Sequence, residues 1–474
     1  MMTRYELVKG SYNTKKLGNG FLVVSDTGDY AFLSGQELDS LEKNPLILSN
    51  PIRADLQSKF ILRSKNQSGS EWLHQCRQAE RSQTTKDGPS LHMLVVTLQC
   101  AHSCQYCQVS RSLEEHGCSM SRAMLEKACA NIFDSQNETI TVEFQGGDPL
   151  LRFELVQYAI EKIKYINESH NKRIRFVVAS TLHQLTQGMC EFFRENNVYL
   201  STSIDGPPSL HNKNRPTPER TAHEKTVLGI QMAREIIGEE SVSALMTTTR
   251  SSLSFPNEIV DEYVHLGMPE VFIRPLSIYG FAKKNIKHIG YSLAEFMEFY
   301  KACLERVLYW NRQGNHIREV YASIILNKLL SPFDAGYVDL QRPTGAGLSA
   351  IAYNYDGYIY PGDEARMLVE TGDHGLRLGA IGTPISELLN SDLQINLVRA
   401  SLNDEKDECG SCAYKPFCAP NPIDAYAQHG NLYARPSETE HCQKHTLLFD
   451  YFFNRIKHAS TWEMDIFYNW AMPF

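Results

Sequence analysis

The stretch Val96-Thr97-Leu98-Gln99-Cys100-Ala101-His102-Ser103-Cys104-Gln105-Tyr106-Cys107-Gln108-Val109-Ser110-Arg111 decides the fold. It places Cys100, Cys104 and Cys107 in a C-x3-C-x2-C pattern directly behind a strand-like apolar run at 91–98. Three thiolates can hold three corners of a [4Fe-4S] cube and leave the fourth iron open, as a catalytic metal site keeps one position free. An open iron points to chemistry at the cluster rather than electron storage alone. For the triplet by itself, the bland alternatives are a zinc knuckle or cysteines packed as small hydrophobes.

Working outward, apolar strand patterns at 91–98, 140–144, 174–179, 199–204, 242–247 and 270–275 alternate with helical patterns, including 122–133, 153–166 and 257–266. Six βα units in succession imply a parallel sheet with crossover helices, with its chemistry in the loops at the strands' C-terminal ends. The cysteine triplet follows the first strand. Gly146-Gly147-Asp148-Pro149 ends the second, Ser180-Thr181 the third, Ser203-Ile204-Asp205-Gly206-Pro207 the fourth, and Arg274 lies at the end of the sixth. Glycines let a backbone approach a ligand, and an acidic oxygen suits an ammonium donor. In isolation, GGDP is a plain turn, Asp205 a turn residue tied to its own backbone, and Arg274 half of a structural ion pair.

Taken together, the triplet with Tyr106 before its last cysteine resembles the signature of the radical S-adenosylmethionine (SAM) enzymes. The resemblance implies a partial (β/α)6 barrel, and a [4Fe-4S] cluster on Cys100, Cys104 and Cys107. One electron from that cluster cleaves SAM to a 5′-deoxyadenosyl radical. GGDP resembles the family's Gly-Gly-Glu-Pro motif, with Asp148 in place of the commoner Glu. By the same resemblance Tyr106, Gly146, Gly147, Asp148, Ser180, Ser203 and Arg274 are candidates for binding SAM. Asp205 is a candidate for closing the substrate side, and Cys118, in a polar loop after the triplet, is a second candidate for catalysis.

Cys409, Cys412, Cys418 and Cys442 complete an all-cysteine set, which suits a structural zinc or a fully ligated [4Fe-4S] cluster. The arrangement resembles the SPASM extension of radical SAM peptide maturases. Thr344, Gly362 and Pro422 stand where that pattern has cysteines, which implies one auxiliary [4Fe-4S] cluster and no second one.

Before residue 65, a hairpin around Asp26-Thr27-Gly28-Asp29 and a capping box at Ser34 and Glu37 outline a small winged-helix-like unit. It resembles the domain that binds leader peptides by strand addition, and it could equally be a packing subdomain. The expected division is 1–65 for this unit, 66–90 linker, 91–314 barrel, 315–457 bridging helix and SPASM-like domain, and 458–474 an aromatic tail. A net charge of −8 without a long basic run argues against tracking a nucleic-acid backbone. No apolar stretch approaches the roughly 18–20 residues that cross a bilayer, and no signal core opens the chain, so a cytoplasmic protein is expected.

The resemblance comes nearest the maturase of the His-Xaa-Ser type. It implies an oxidoreductase that abstracts hydrogen from a ribosomally made precursor peptide with a leader and forms a carbon-centred cross-link. A flavodoxin- or ferredoxin-type electron donor is implied with it. The alternatives are a formylglycine-type (sulfatase) maturase and, from another class, a non-catalytic iron-sulfur or zinc binding module.

Overall fold

The computed structural model describes residues 7–64, 68–80, 87–109, 111–112, 117–332, 336–403 and 406–472. They divide into two compact units: Asp87–Tyr321 with Ala346–Asn396, and Met1–Lys86 with Ala322–Gly345 and Leu397–Phe474.

The first of these is built on a parallel sheet whose six leading strands, Leu91–Thr97, Thr139–Gly146, Arg173–Ala179, Val198–Ser203, Val242–Thr247 and Glu270–Arg274, lie side by side in sequence order. Helices such as Arg122–Asn131, Phe153–Asn167 and Pro256–His265 return the chain between them. This is the expected α/β partial barrel, with strand ends within two residues of the sequence pattern. Leu94, Val95 and Val96 are all fully buried, because the first strand is covered on both faces. The second strand alternates: Ile140, Val142 and Phe144 are fully buried, while Glu143 and Gln145 line the lumen.

The sheet is longer than six strands. Arg318–Glu319 extends it beyond the sixth strand, and Ala350–Tyr353 pairs parallel with Leu91–Thr97, followed antiparallel by Tyr358–Tyr360 and Gly379–Ala380. Residues 346–396 therefore belong with the barrel, whereas the sequence put them in the C-terminal domain. The cause is local: all four residues of Ala350–Tyr353 are buried, which suits a strand covering the open edge of the first one.

The other unit begins with a three-stranded antiparallel sheet, Tyr12–Leu17, Gly20–Ser25 and Tyr30–Leu33, and helices Gly35–Lys43 and Asn50–Ser58. Leu62–Ser64 pairs with Leu7–Lys9, and Val23, Leu33, Leu41, Leu56 and Ile61 form the core. Ser34 and Glu37 make the capping box. A helix, Ser68–Glu80, occupies part of the stretch expected to be a linker. Its His74 Nε2 lies 2.8 Å from Asp26 Oδ1, and Arg77 donates to Asp29 at 2.5 Å, so it clasps the hairpin turn. The polar remainder of that linker, 81–86, lies outside the described residues.

The expected tail is also ordered. Thr461–Ala471 is a helix that buries Phe467 and Trp470, and Asn327 Nδ2 donates to Ala471 O at 2.7 Å. No helix among the described residues is long and apolar enough to cross a membrane.

Candidate active site

A cavity of about 240 Å³ opens at the C-terminal ends of the barrel strands. Cys100, Cys104 and Cys107 line it together with Tyr106, Gly146, Gly147, Ser180, Ser203 and Arg274, whereas Asp148, Asp205 and Cys118 are not part of the lining. The thiols face this common space without converging on one point. Among the described residues no group of three or more His, Cys, Asp and Glu side chains is arranged to hold a metal ion. A cube sets its corners on separate irons, so a spread triplet with an open side fits it. Burial pushes the Cys104 thiol up to about 12, opposed by the Arg215 charge and raised further by Cys107. Such a thiol ionises on binding metal rather than before it.

The cysteine loop is fixed from three sides. Phe281 N–H donates to Cys107 O at 2.9 Å from the helix Gly280–Ile289, while Ser103 and Gln105 N–H donate to Pro216 O and Asn214 O, both at 3.0 Å. The glycine pair holds the third side. Gly147 N–H donates to Thr97 O at 2.8 Å and Asp148 N–H to Gln99 O at 2.7 Å. A Cβ on Gly146 would stand 1.9 Å from Thr97 O, and one on Gly147 2.2 Å from Gln99 O, so only glycine permits this approach.

Asp148 departs from its expected part. Its carboxylate accepts from Ser180 Oγ at 2.7 Å, Thr181 Oγ1 at 2.5 Å, Leu150 N–H at 3.1 Å and Thr181 N–H at 3.3 Å. Fully buried and absent from the cavity lining, it ties the second strand end to the third. The shorter side chain reaches its neighbours instead of the cavity. Ser180 lines the cavity, but its hydroxyl proton goes to Asp148. Thr202 Oγ1, buried without a partner among the described residues, is an open hydroxyl on the lining that the motifs did not reveal.

Asp205 likewise does not line the cavity. Tyr106 OH donates to its two oxygens at 2.8 and 2.7 Å, Arg215 Nε donates at 3.2 Å and Thr247 N–H at 3.4 Å, all buried. It anchors the cysteine loop through Tyr106 and has no free oxygen for a substrate, which corrects its expected catalytic part. Cys118 is corrected too. It is buried against Val95, Leu98 and Tyr355 as a core side chain, because Leu98 N–H bonds its carbonyl at 2.8 Å and draws the loop inward.

The lumen carries groups that the sequence motifs missed: Glu143, Gln145 and Asp363. Gln145 Nε2 donates to Glu143 Oε1 at 2.8 Å, and Arg366 Nε holds Asp363 at 2.7 Å. Burial lifts the Glu143 carboxyl above its ordinary range, with Gln145 and Arg274 opposing and Asp363 adding to the rise. The signal was present in the polar residues alternating with Val142 and Phe144, since a buried parallel strand otherwise reads as apolar throughout.

In the other unit, Cys409, Cys412 and Cys418 lie on successive turns, and Cys442 lies in the first turn of the helix Glu440–His458, where Thr439 Oγ1 accepts from Cys442 N–H at 3.2 Å. Burial and the other three thiols raise Cys418, and burial with Cys412 and Cys442 pushes Cys409 up to about 11, so the four are near enough to feel one another's charge. Tyr414 and Phe417, between these cysteines, pack on Phe449 and Phe453. The positions that lack cysteine have ordinary structural parts. Pro422 opens a helix capped by Asn421, Thr344 N–H bonds Ser401 Oγ at 2.9 Å, and Gly362 has a φ of 147°.

Residues 94–248 match the family model of the Radical SAM superfamily, whose members are enzymes. An uncharacterised protein of Synechocystis sp. (strain ATCC 27184 / PCC 6803 / Kazusa) is 24% identical over 61% of this chain and 72% of its own length. The structure of native anSMEcpe with bound AdoMet is similar at a TM-score of 0.64, with 17% identity over 80% of this chain and 99% of that one. That of Streptococcus suis SuiB bound to precursor peptide SuiA is similar at 0.55, with 13% identity over 92% and 100%. The fold is the α/β radical SAM fold.

Proposed function

We propose that this chain, carrying a radical SAM fold and three thiols on one cavity with a glycine pair, is an enzyme that modifies a ribosomally made precursor peptide. The carrying observation is that lining. Cys100, Cys104 and Cys107 would hold the [4Fe-4S] cluster, and the backbone of Gly146 and Gly147 with Ser203 and Thr202 would receive SAM. When bound, the pair supplies a 5′-deoxyadenosyl radical able to remove hydrogen from carbon. The chain's own part is positioning: Asp205 and Arg215 hold Tyr106, Asp148 closes the second strand end, and the lumen excludes water from the reacting carbon. Glu143, Asp363 and Arg274 give that lumen the charge to orient a polar substrate segment.

The peptide substrate is supported by the likeness to SuiB, which binds SuiA, and by the N-terminal three-stranded sheet, whose edge could pair with an extended leader. A carbon-centred cross-link of the His-Xaa-Ser type, one auxiliary cluster on Cys409, Cys412, Cys418 and Cys442, a flavodoxin- or ferredoxin-type donor and a cytoplasmic setting complete the proposal. The test is anaerobic reconstitution with SAM and a strong reductant, beside co-expression with a small neighbouring reading frame. 5′-Deoxyadenosine together with a peptide lighter by hydrogens supports the proposal. Formylglycine at one residue of a large folded protein would favour the sulfatase-type alternative, and metal without 5′-deoxyadenosine would leave only a binding module.

A further inference from the structure

His102, between the first two cysteines, is fully buried, and its Nδ1 has no hydrogen-bond partner among the described residues. Its other nitrogen is firmly engaged. His102 Nε2 lies 3.0 Å from His183 Nδ1, and His183 Nε2 lies 2.9 Å from the ammonium of Lys225. An ammonium only donates, so His183 Nε2 accepts and the ring's proton sits on Nδ1. That proton goes to His102 Nε2, which leaves His102 with its own proton on Nδ1. A chain that starts at a partly exposed lysine thus ends in a buried N–H donor on the cysteine loop.

His183 is placed by the same strand end that holds Asp148. Its N–H donates to Thr181 Oγ1 at 3.3 Å, and Leu182 before it has a φ of 60°, a conformation that non-glycine residues adopt only when their surroundings impose it. Gly229 allows that turn to approach, since a Cβ there would stand 2.6 Å from Leu182 Cβ. His102 lines the cavity beside Cys100 and Cys104.

Resting on the radical SAM assignment, we propose that His102, locked in one tautomer by His183 and Lys225, donates its Nδ1–H to a sulfur of the cluster held by Cys100, Cys104 and Cys107, and so raises that cluster's reduction potential. Hydrogen bonds to cluster sulfurs favour the reduced, more negative state. His102 is the tuning group, and His183 and Lys225 are positioning residues.

The test uses the full chain. In the metal-free protein, nitrogen NMR of the histidines should show both rings as the Nδ1–H tautomer, and Lys225→Met should turn them into mixtures. In the reconstituted protein, redox titration followed by the paramagnetic signal that responds to SAM should give a more negative midpoint for His102→Phe, and a smaller shift of the same sign for Lys225→Met. An exchangeable proton coupling should vanish in His102→Phe. Unchanged midpoints in both variants, at wild-type iron content, would overturn the inference, as would Nε2–H tautomers in the metal-free protein. Should His102→Phe fail to take up iron, Lys225→Met decides alone, since its side chain lies outside the loop. A wild-type protein without any SAM-responsive signal would overturn the radical SAM assignment itself.

Discussion

Cys100, Cys104 and Cys107 sit on a loop that leaves a buried parallel strand and faces a cavity, whereas Cys409, Cys412, Cys418 and Cys442 sit on short turns and a helix start backed by aromatic rings. The first loop is held by charged and polar groups, Asp205, Arg215 and Tyr106, which leave one side open. Behind the second, Tyr414, Phe417, Phe449 and Phe453 supply packing. An open site needs its loop fixed from outside the cofactor. A closed one can use the cofactor as its own clamp.

Substitutions of single cysteines break the comparison most sharply. Cys104→Ala should abolish 5′-deoxyadenosine formation, while Cys412→Ala should lose metal from the four-cysteine site and keep SAM cleavage; equal loss in both would show that the sites do not act separately. Next in size, Asp205→Asn weakens a buried ion-pair network, and denaturant unfolding should register about 3–5 kcal/mol. A loss below about 1 kcal/mol would mean that the loop is held by other groups.

His92 adds a pH term to the barrel unit. Burial lowers it from 6.5 to about 4, slightly opposed by the Pro89 carbonyl. Between those values the unfolded chain binds the extra proton, so stability is full above pH 6.5 and falls as pH drops toward 4, by about 3 kcal/mol. His92→Gln should lessen that slope in unfolding measured across pH by this share, while buried His102 and His211 keep theirs. Gly147→Ala drives a methyl group into the Gln99 carbonyl, with an expected loss of about 1–3 kcal/mol and of iron uptake at the first site only. The smallest effect is assigned to Cys118→Ala, about 1 kcal/mol with SAM cleavage retained.

Much of this was legible from sequence, and the gaps have identifiable causes. Strand positions follow from apolar runs, so the barrel and its cavity-facing loops could be located to within a few residues. What patterning does not encode is where a polar side chain turns. Asp148 and Asp205 were visible as acids at strand ends, yet their donors Ser180, Thr181 and Tyr106 come from other strand ends and loops, far away in the chain. Glu143 belongs to no glycine- or cysteine-marked motif, and Asp363, beside Gly362, fell in a segment read only for its missing cysteines. The short strand Ala350–Tyr353 was assigned to the wrong unit, since four apolar residues carry no mark of the edge they will cover.

The helix Ser68–Glu80 also bears on how the N-terminal region can be handled experimentally. Two of its side chains reach back to the loop joining the second and third strands of the antiparallel sheet, across nearly fifty residues of chain. A fragment ended at residue 65 would leave Asp26 and Asp29 without these two hydrogen-bonding partners, and peptide-binding measurements on it would report on a loosened turn. A fragment carried through residue 80 keeps both latches fastened.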